Sequence, residues 1–214
     1  MTMKITHSFC SENQQPCVII QRQLLRSGFQ SCHDDFVKYI DMYAHPKGRE
    51  QYFTSSGYKT HDSDFKARPL YLIQYETDYY MHQVTPSIKT EKNPFLALGQ
   101  KVISTIENVL SPVNTSLYIY ETWGNTLVQG NIIEPHSHGW NGPKASYVYV
   151  YNISVCENCA SLVFPTVNNG MRISPKIGQI VIFSGWLVHA VDEHECDHPR
   201  INAGGHIGDL SYSV

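Results

Sequence analysis

The sequence predicts a mainly β fold with flanking α, in which short strands close a sandwich or a jelly-roll barrel behind an N-terminal helical extension. Three observations predict it. From Ser111-Pro112 onward the chain reads as seven or eight short apolar runs, divided by Gly, Pro, Asn and Asp turn signals, with no helical pattern between them. Tyrosine, which favours pleated and half-buried surfaces, occurs 14 times in 214 residues. Helical periodicity is confined to the segment before Ser111.

The elements follow in order. "CHDDFVKYIDMYAHP" places Phe36, Val37, Ile40 and Tyr43 at three- and four-residue spacing, and Pro46 ends the pattern. "RPLYLIQYETDYYMHQV" reads as one or two strands or a long ordered loop, and its tyrosine-rich part, 71–80, is a candidate surface for a homodimer. "NPFLALGQKVISTIENVLSP" is a second helix, with Asn93 as cap, Pro94 in the first turn, a stripe of Leu98, Val102, Ile106 and Val109, and Pro112 as the stop. "SLYIYETW", "TLVQGNII", "ASYVYVYNIS", "SLVFP", "GQIVIFSG", "WLVHAV" and "RINAGGHI" then read as strands. Residues 1–115 are expected to be strands and helices packed on the barrel, and 116–214 the β core, within one structural domain.

Composition narrows the function. Hydrophobic residues make up 42% and charged residues 16%, the balance of a globular chain. With a net charge of -3 and no basic block, the sequence offers no nucleic-acid surface. No apolar run is long enough to span a membrane, and "MTMKITHSFCSENQQ" has no secretory character. The expectation is a soluble cytoplasmic protein. Its six cysteines are then reduced thiols, and "CENC" at 156–159 reads as two thiols flanking a hairpin turn.

The chemistry sits in "NIIEPHSHGW". Residues two apart on a strand face the same way, so His136 and His138 present two imidazoles to one side. Neutral imidazole is a ligand for iron, zinc and copper. A third ligand is needed, and His189 in "GWLVHAV", at the end of a later apolar strand, is the candidate. Arg200, 11 residues beyond it, opens the strand "RINAGGHI". An arginine entering a barrel must meet an anion, and its planar fork suits a carboxylate. A surface salt bridge with Asp192, Glu193 or Asp197 is the other reading. His194, His198 and His206 are further site candidates, the first two in the loop "DEHECDHP".

In that order these pieces resemble the Fe(II)- and 2-oxoglutarate-dependent oxygenases. The resemblance covers roughly residues 116–206: Trp123, then His136-Ser137-His138, "SYVYVY", "SLVFP", "PKIGQIVIFSGWLVH" and Arg200. It implies a double-stranded β-helix (jelly-roll, cupin-like) core and Fe(II) on His136, His138 and His189. It further implies 2-oxoglutarate as cosubstrate with O2, its far carboxylate held by Arg200 with Tyr149 or Asn131. Hydroxylation of a small-molecule or peptide substrate, with release of succinate and CO2, would follow. Three positions depart from the pattern. His138 stands where most members carry a carboxylate, with Glu134 as the fallback; Ser184 stands in place of a proline, and Tyr147 in place of a glycine. A metal-dependent dioxygenase or isomerase without a 2-oxo acid, and a non-catalytic binding module, are the competing readings.

Overall fold

The alternation read along the chain becomes two sheets. In the computed structural model, residues 3–9, 16–25, 29–43, 45–46, 75–76, 81–83, 93–110, 116–138 and 145–212 are described. The larger sheet contains β1 (Met3–Phe9), β2 (Pro16–Gln23), β3 (His45–Pro46), β4 (Tyr75–Glu76), β5 (Leu117–Leu127), β7 (Tyr147–Ser154), β10 (Gln179–Ser184) and β12 (Arg200–Asp209), in the order β1-β2-β10-β7-β12-β5-β4-β3. The smaller contains β6 (Ile133–His136), β8 (Leu162–Phe164), β9 (Met171–Ile173) and β11 (His189–Val191), in the order β6-β11-β8-β9. Every pairing among the described strands is antiparallel.

The two faces of the larger sheet carry different cores. Val148, Val181, Phe183, Ile19 and Leu127 point inward and meet Leu162, Phe164, Ile173 and Val191 of the smaller sheet. Tyr149, Tyr151, Ile180, Ile182, Ile20, Ala203 and Ile207 point outward and meet two helices, α1 (Gln30–Tyr43) and α2 (Pro94–Leu110). This is the period-2 alternation expected of strands covered on both sides.

Both predicted helices form. Asn93 Oδ1 accepts the amides of Phe95 and Leu96 at 2.9 and 3.1 Å, capping α2. Leu98, Val102 and Ile106 are buried, and Val109 packs beside them. Phe36 of α1 meets Phe95 of α2 edge to face at 5.0 Å.

The N-terminal part is not a helical extension set beside a barrel. β2 pairs with β10 from Gln23↔Gln179 to Ile19↔Phe183, so the first strands continue the sheet that carries the C-terminal strands. The period-2 pattern of "PCVIIQRQ" carries this signal: Cys17 and Ile19 face the inner core and Ile20 the outer. Within "RPLYLIQYETDYYMHQV", the structure describes β4 and a 3-10 turn at Met81–Gln83; the rest of 68–84 and the Pro112 stop lie outside the described residues. "CENC" does form a turn, with Cys159 N–H donating to Cys156 O at 3.3 Å. Its flanking strands, β7 and β8, belong to different sheets, so the turn is a crossover and not a hairpin. No described helix is long and apolar enough to cross a membrane.

Candidate metal centre

β6 and β11 pair antiparallel, and their register sets His136 directly opposite His189. Regular extension of β6 ends at His136. His138 lies beyond the strand, where its amide donates to Gly185 O at 3.0 Å. That bond returns the third imidazole to the other two. One ring nitrogen from each of His136, His138 and His189 lies within 4.8 Å of the other two, a spacing that could hold a metal ion, and His138 Nε2 is 3.2 Å from His189 Nε2.

The ring orientations are set by the backbone. His136 Nδ1 donates to Glu134 O at 2.8 Å, and His189 Nδ1 donates to Leu187 O at 3.0 Å. Each bond fixes the tautomer that carries its lone pair on Nε2, the arrangement that orients metal-ligating histidines. Burial, then repulsion from His136, pushes His189 down to about 3, with the Leu187 carbonyl opposing. Burial, then His206, His189 and His136, holds His138 well below its ordinary value. Both are therefore neutral at neutral pH, the form that binds a metal.

Glu134 contributes its backbone carbonyl to this arrangement, and its side chain is exposed. The cluster is therefore three imidazoles. Phe183 and Phe164 stand against His189 at ring distances of 4.6 and 6.5 Å and form its apolar wall.

A second group closes the other side. His206 lies 4.3 Å from His138 and 4.9 Å from Trp123, ring to ring. Its Nδ1 meets Glu121 Oε2 at 2.9 Å, while its buried Nε2 has no hydrogen-bond partner among the described residues. The β12–β5 register places Glu121, Trp123, Asn125 and Leu127 opposite His206, Gly204, Asn202 and Arg200, all on the inner face. A Cβ on Gly204 would come within 2.8 Å of the Trp123 ring, so the indole lies flat against this strand only because residue 204 has no side chain. Sequence reasoning missed Glu121. Its signal was the alternation of "YETWGNTL", which puts a carboxylate on the face of Trp123 and Leu127.

Arg200 lies at the far end of this polar file. It is 1% exposed, and its Nε and Nη1 have no hydrogen-bond partner among the described residues. Burial pushes its guanidinium down to about 10, with Cys159 opposing. A buried guanidinium with two open donors is a cradle for an anion.

Two residues expected to help Arg200 hold a carboxylate have other contacts. Tyr149 is fully buried in the outer core, and its hydroxyl lies where a Cβ on Gly205 would sit. The phase of β7, with Val148 inward, turns Tyr149 away from the imidazoles. Asn131 is occupied in the β5–β6 turn, where its Oδ1 accepts Val128 N–H at 2.9 Å and its carbonyl accepts His194 N–H at 2.8 Å. Ser184 accepts Val18 N–H at 3.4 Å, a bond to the N-terminal strand that a proline side chain could not make.

No family model matches the chain, and no curated protein is significantly similar to it. Solved structures do match. The Pseudomonas putida prolyl-4-hydroxylase superposes with a TM-score of 0.55, covering 89% of this chain and 92% of its own, at 13% identity. SnoN, the non-heme alpha ketoglutarate dependent epimerase of nogalamycin biosynthesis, superposes with a TM-score of 0.58, covering 89% of this chain and 76% of its own, at 7% identity. Across that sequence distance it is the architecture that is shared: this chain has the fold of these two enzymes.

Proposed function

We propose that the protein is a non-haem Fe(II)- and 2-oxoglutarate-dependent dioxygenase that hydroxylates a small-molecule or peptide substrate inside a jelly-roll core. One observation carries the reading: three clustered imidazoles, two of them oriented by backbone carbonyls, lie against His206 of the β12 inner-face file, which begins with a buried arginine whose Nε and Nη1 are open. His136, His138 and His189 would hold the iron through Nε2. Iron so held would supply the site at which dioxygen and the 2-oxo acid react, with succinate and CO2 released.

The chain's own residues supply binding, orientation and exclusion of water. Arg200 receives the far carboxylate of the cosubstrate, and Asn202 and Asn125 line the path toward the triad. Three neutral ligands leave the full charge of a divalent ion in place, which favours a dianionic cosubstrate. Phe164, Phe183 and Trp123 keep water from the imidazoles. Glu121 holds His206 with Nδ1 toward the carboxylate and leaves Nε2 beside His138 as an acceptor for a substrate hydrogen bond.

A second reading is favoured by the third imidazole, His138, where a carboxylate would be ordinary. In that reading the metal serves a three-His dioxygenase or isomerase, and Arg200 holds a carboxylate of the substrate itself. An anaerobic titration separates the two. Apoprotein given Fe(II) and then 2-oxoglutarate is expected to develop a metal-to-ligand charge-transfer band in the visible only when both are present. Iron binding without that band would establish the second reading and remove the first.

A further inference from the structure

A second cluster of soft ligands lies outside the histidine site. Cys156 and Cys159 flank the β7–β8 turn, and Cys196 comes from the 192–199 loop between β11 and β12. Their sulphurs are 3.4, 3.5 and 3.8 Å apart. All three are free thiols, and the separations exceed the roughly 2.05 Å of a disulfide. Three thiolates placed tetrahedrally at about 2.3 Å from one zinc ion would be about 3.8 Å apart, close to the spacing found here.

The surroundings fit such an ion. Cys156 N–H donates to Cys159 Sγ at 3.2 Å, a bond that stabilises a thiolate. His194 is fully buried beside the cluster, with its Nε2 3.6 Å from Cys196 Sγ. Both of its nitrogens are in use: Nδ1 accepts Ala160 N–H at 3.3 Å, and Nε2 donates to His198 O at 2.7 Å. His194 therefore braces the loop.

We propose that Cys156, Cys159 and Cys196 form a second, structural metal site that binds one Zn(II), tying the β7–β8 crossover to the 192–199 loop. Each thiol releases its proton to solvent as its sulphur–metal bond forms, and no electron is transferred. The site stands four residues before Arg200 in the chain, so the ion also fixes the loop that delivers this arginine to β12.

The test uses full-chain, reduced, metal-free protein titrated anaerobically with Co(II), which reports thiolate ligation through a near-ultraviolet sulphur-to-cobalt charge-transfer band. One equivalent of cobalt should give the band, and Zn(II) should bleach it. The band should survive in the His136→Ala/His189→Ala double variant and vanish in Cys196→Ser. Should Cys196→Ser not fold, thiol labelling of the unmutated protein decides: bound Zn(II) is expected to protect three thiols that a chelator re-exposes. No band with the native chain, a band that persists without Cys196, or labelling indifferent to zinc would each overturn the proposal. So would recovery of Cys156 and Cys159 as a disulfide from protein that takes up no zinc. Because the double variant lacks two of the three imidazoles, failure of the iron reading leaves this outcome unaffected.

Discussion

The histidine triad and the cysteine triad share one plan and differ in chemistry. Each joins two residues close in sequence to one far along the chain: His136 and His138 meet His189, 51 residues beyond His138, and Cys156 and Cys159 meet Cys196, 37 residues beyond Cys159. The short spacings suit their backbones. The gap of two starts at the last residue of β6 and is closed by the bond from the His138 amide to Gly185 O, and the gap of three fits a tight turn. Both triads are connected through β11, which begins with His189 and runs into the loop that carries Cys196. The imidazoles adjoin a polar file with unpartnered donors, whereas the thiols sit where two connections cross. Thiolate-rich sites are suited to holding structure, and imidazole sites with open positions to chemistry.

Removing one imidazole should separate the two triads most strongly. His189→Ala should weaken Fe(II) binding by more than about 100-fold, beyond what loss of a merely orienting partner costs. The cysteine triad should be untouched. Calorimetric titration with Fe(II) measures this, and an unchanged affinity would dissolve the distinction between the triads.

The next largest effect concerns the polar file. Arg200→Ala should cost the 2-oxo acid about 2 kcal/mol or more, at least about 30-fold in Kd, because a carboxylate would lose its charged partner in a buried setting. Iron affinity should hold steady, and Arg200→Lys should recover part of the loss. Equal 2-oxoglutarate affinity in the alanine variant would assign the guanidinium to another anion.

The smallest effect is one of pH. His189 titrates near 3 in the folded protein, against an ordinary 6.5, and His138 is shifted the same way. Between those values the unfolded chain binds more protons than the folded one, so stability rises with pH in this window and falls on acidification below about 6.5. Each such histidine contributes about 1.4 kcal/mol per pH unit inside the window. Denaturant melts of metal-free protein from pH 7 to 5 should show this slope, and His189→Ala should show a shallower one. A pH-independent midpoint would mean that the imidazoles are solvated.

Much of this was legible from local pattern. Asn93 and Pro94 marked the start of α2, and alternation marked β7, because capping and pleating depend on neighbours in sequence. HxH, His189 and Arg200 could be singled out because metal and anion chemistry restricts residue type. The role of Tyr149 was not legible. Alternation says that 148 and 149 face opposite ways, but not which way is inward, and the packing of Val148 against the smaller sheet decides that. Cys196 could not be joined to "CENC", since the contact spans a crossover between sheets and a loop.

Short-range periodicity and side-chain chemistry were enough for the β-rich class, both helices and the residue types able to bind a metal. Long-range packing alone made β1 and β2 extend the larger sheet, set Glu121 against His206 beside the triad, and drew three cysteines together. Those facts rest on strand register and inter-sheet packing, where one residue's shift turns every side chain to the other face.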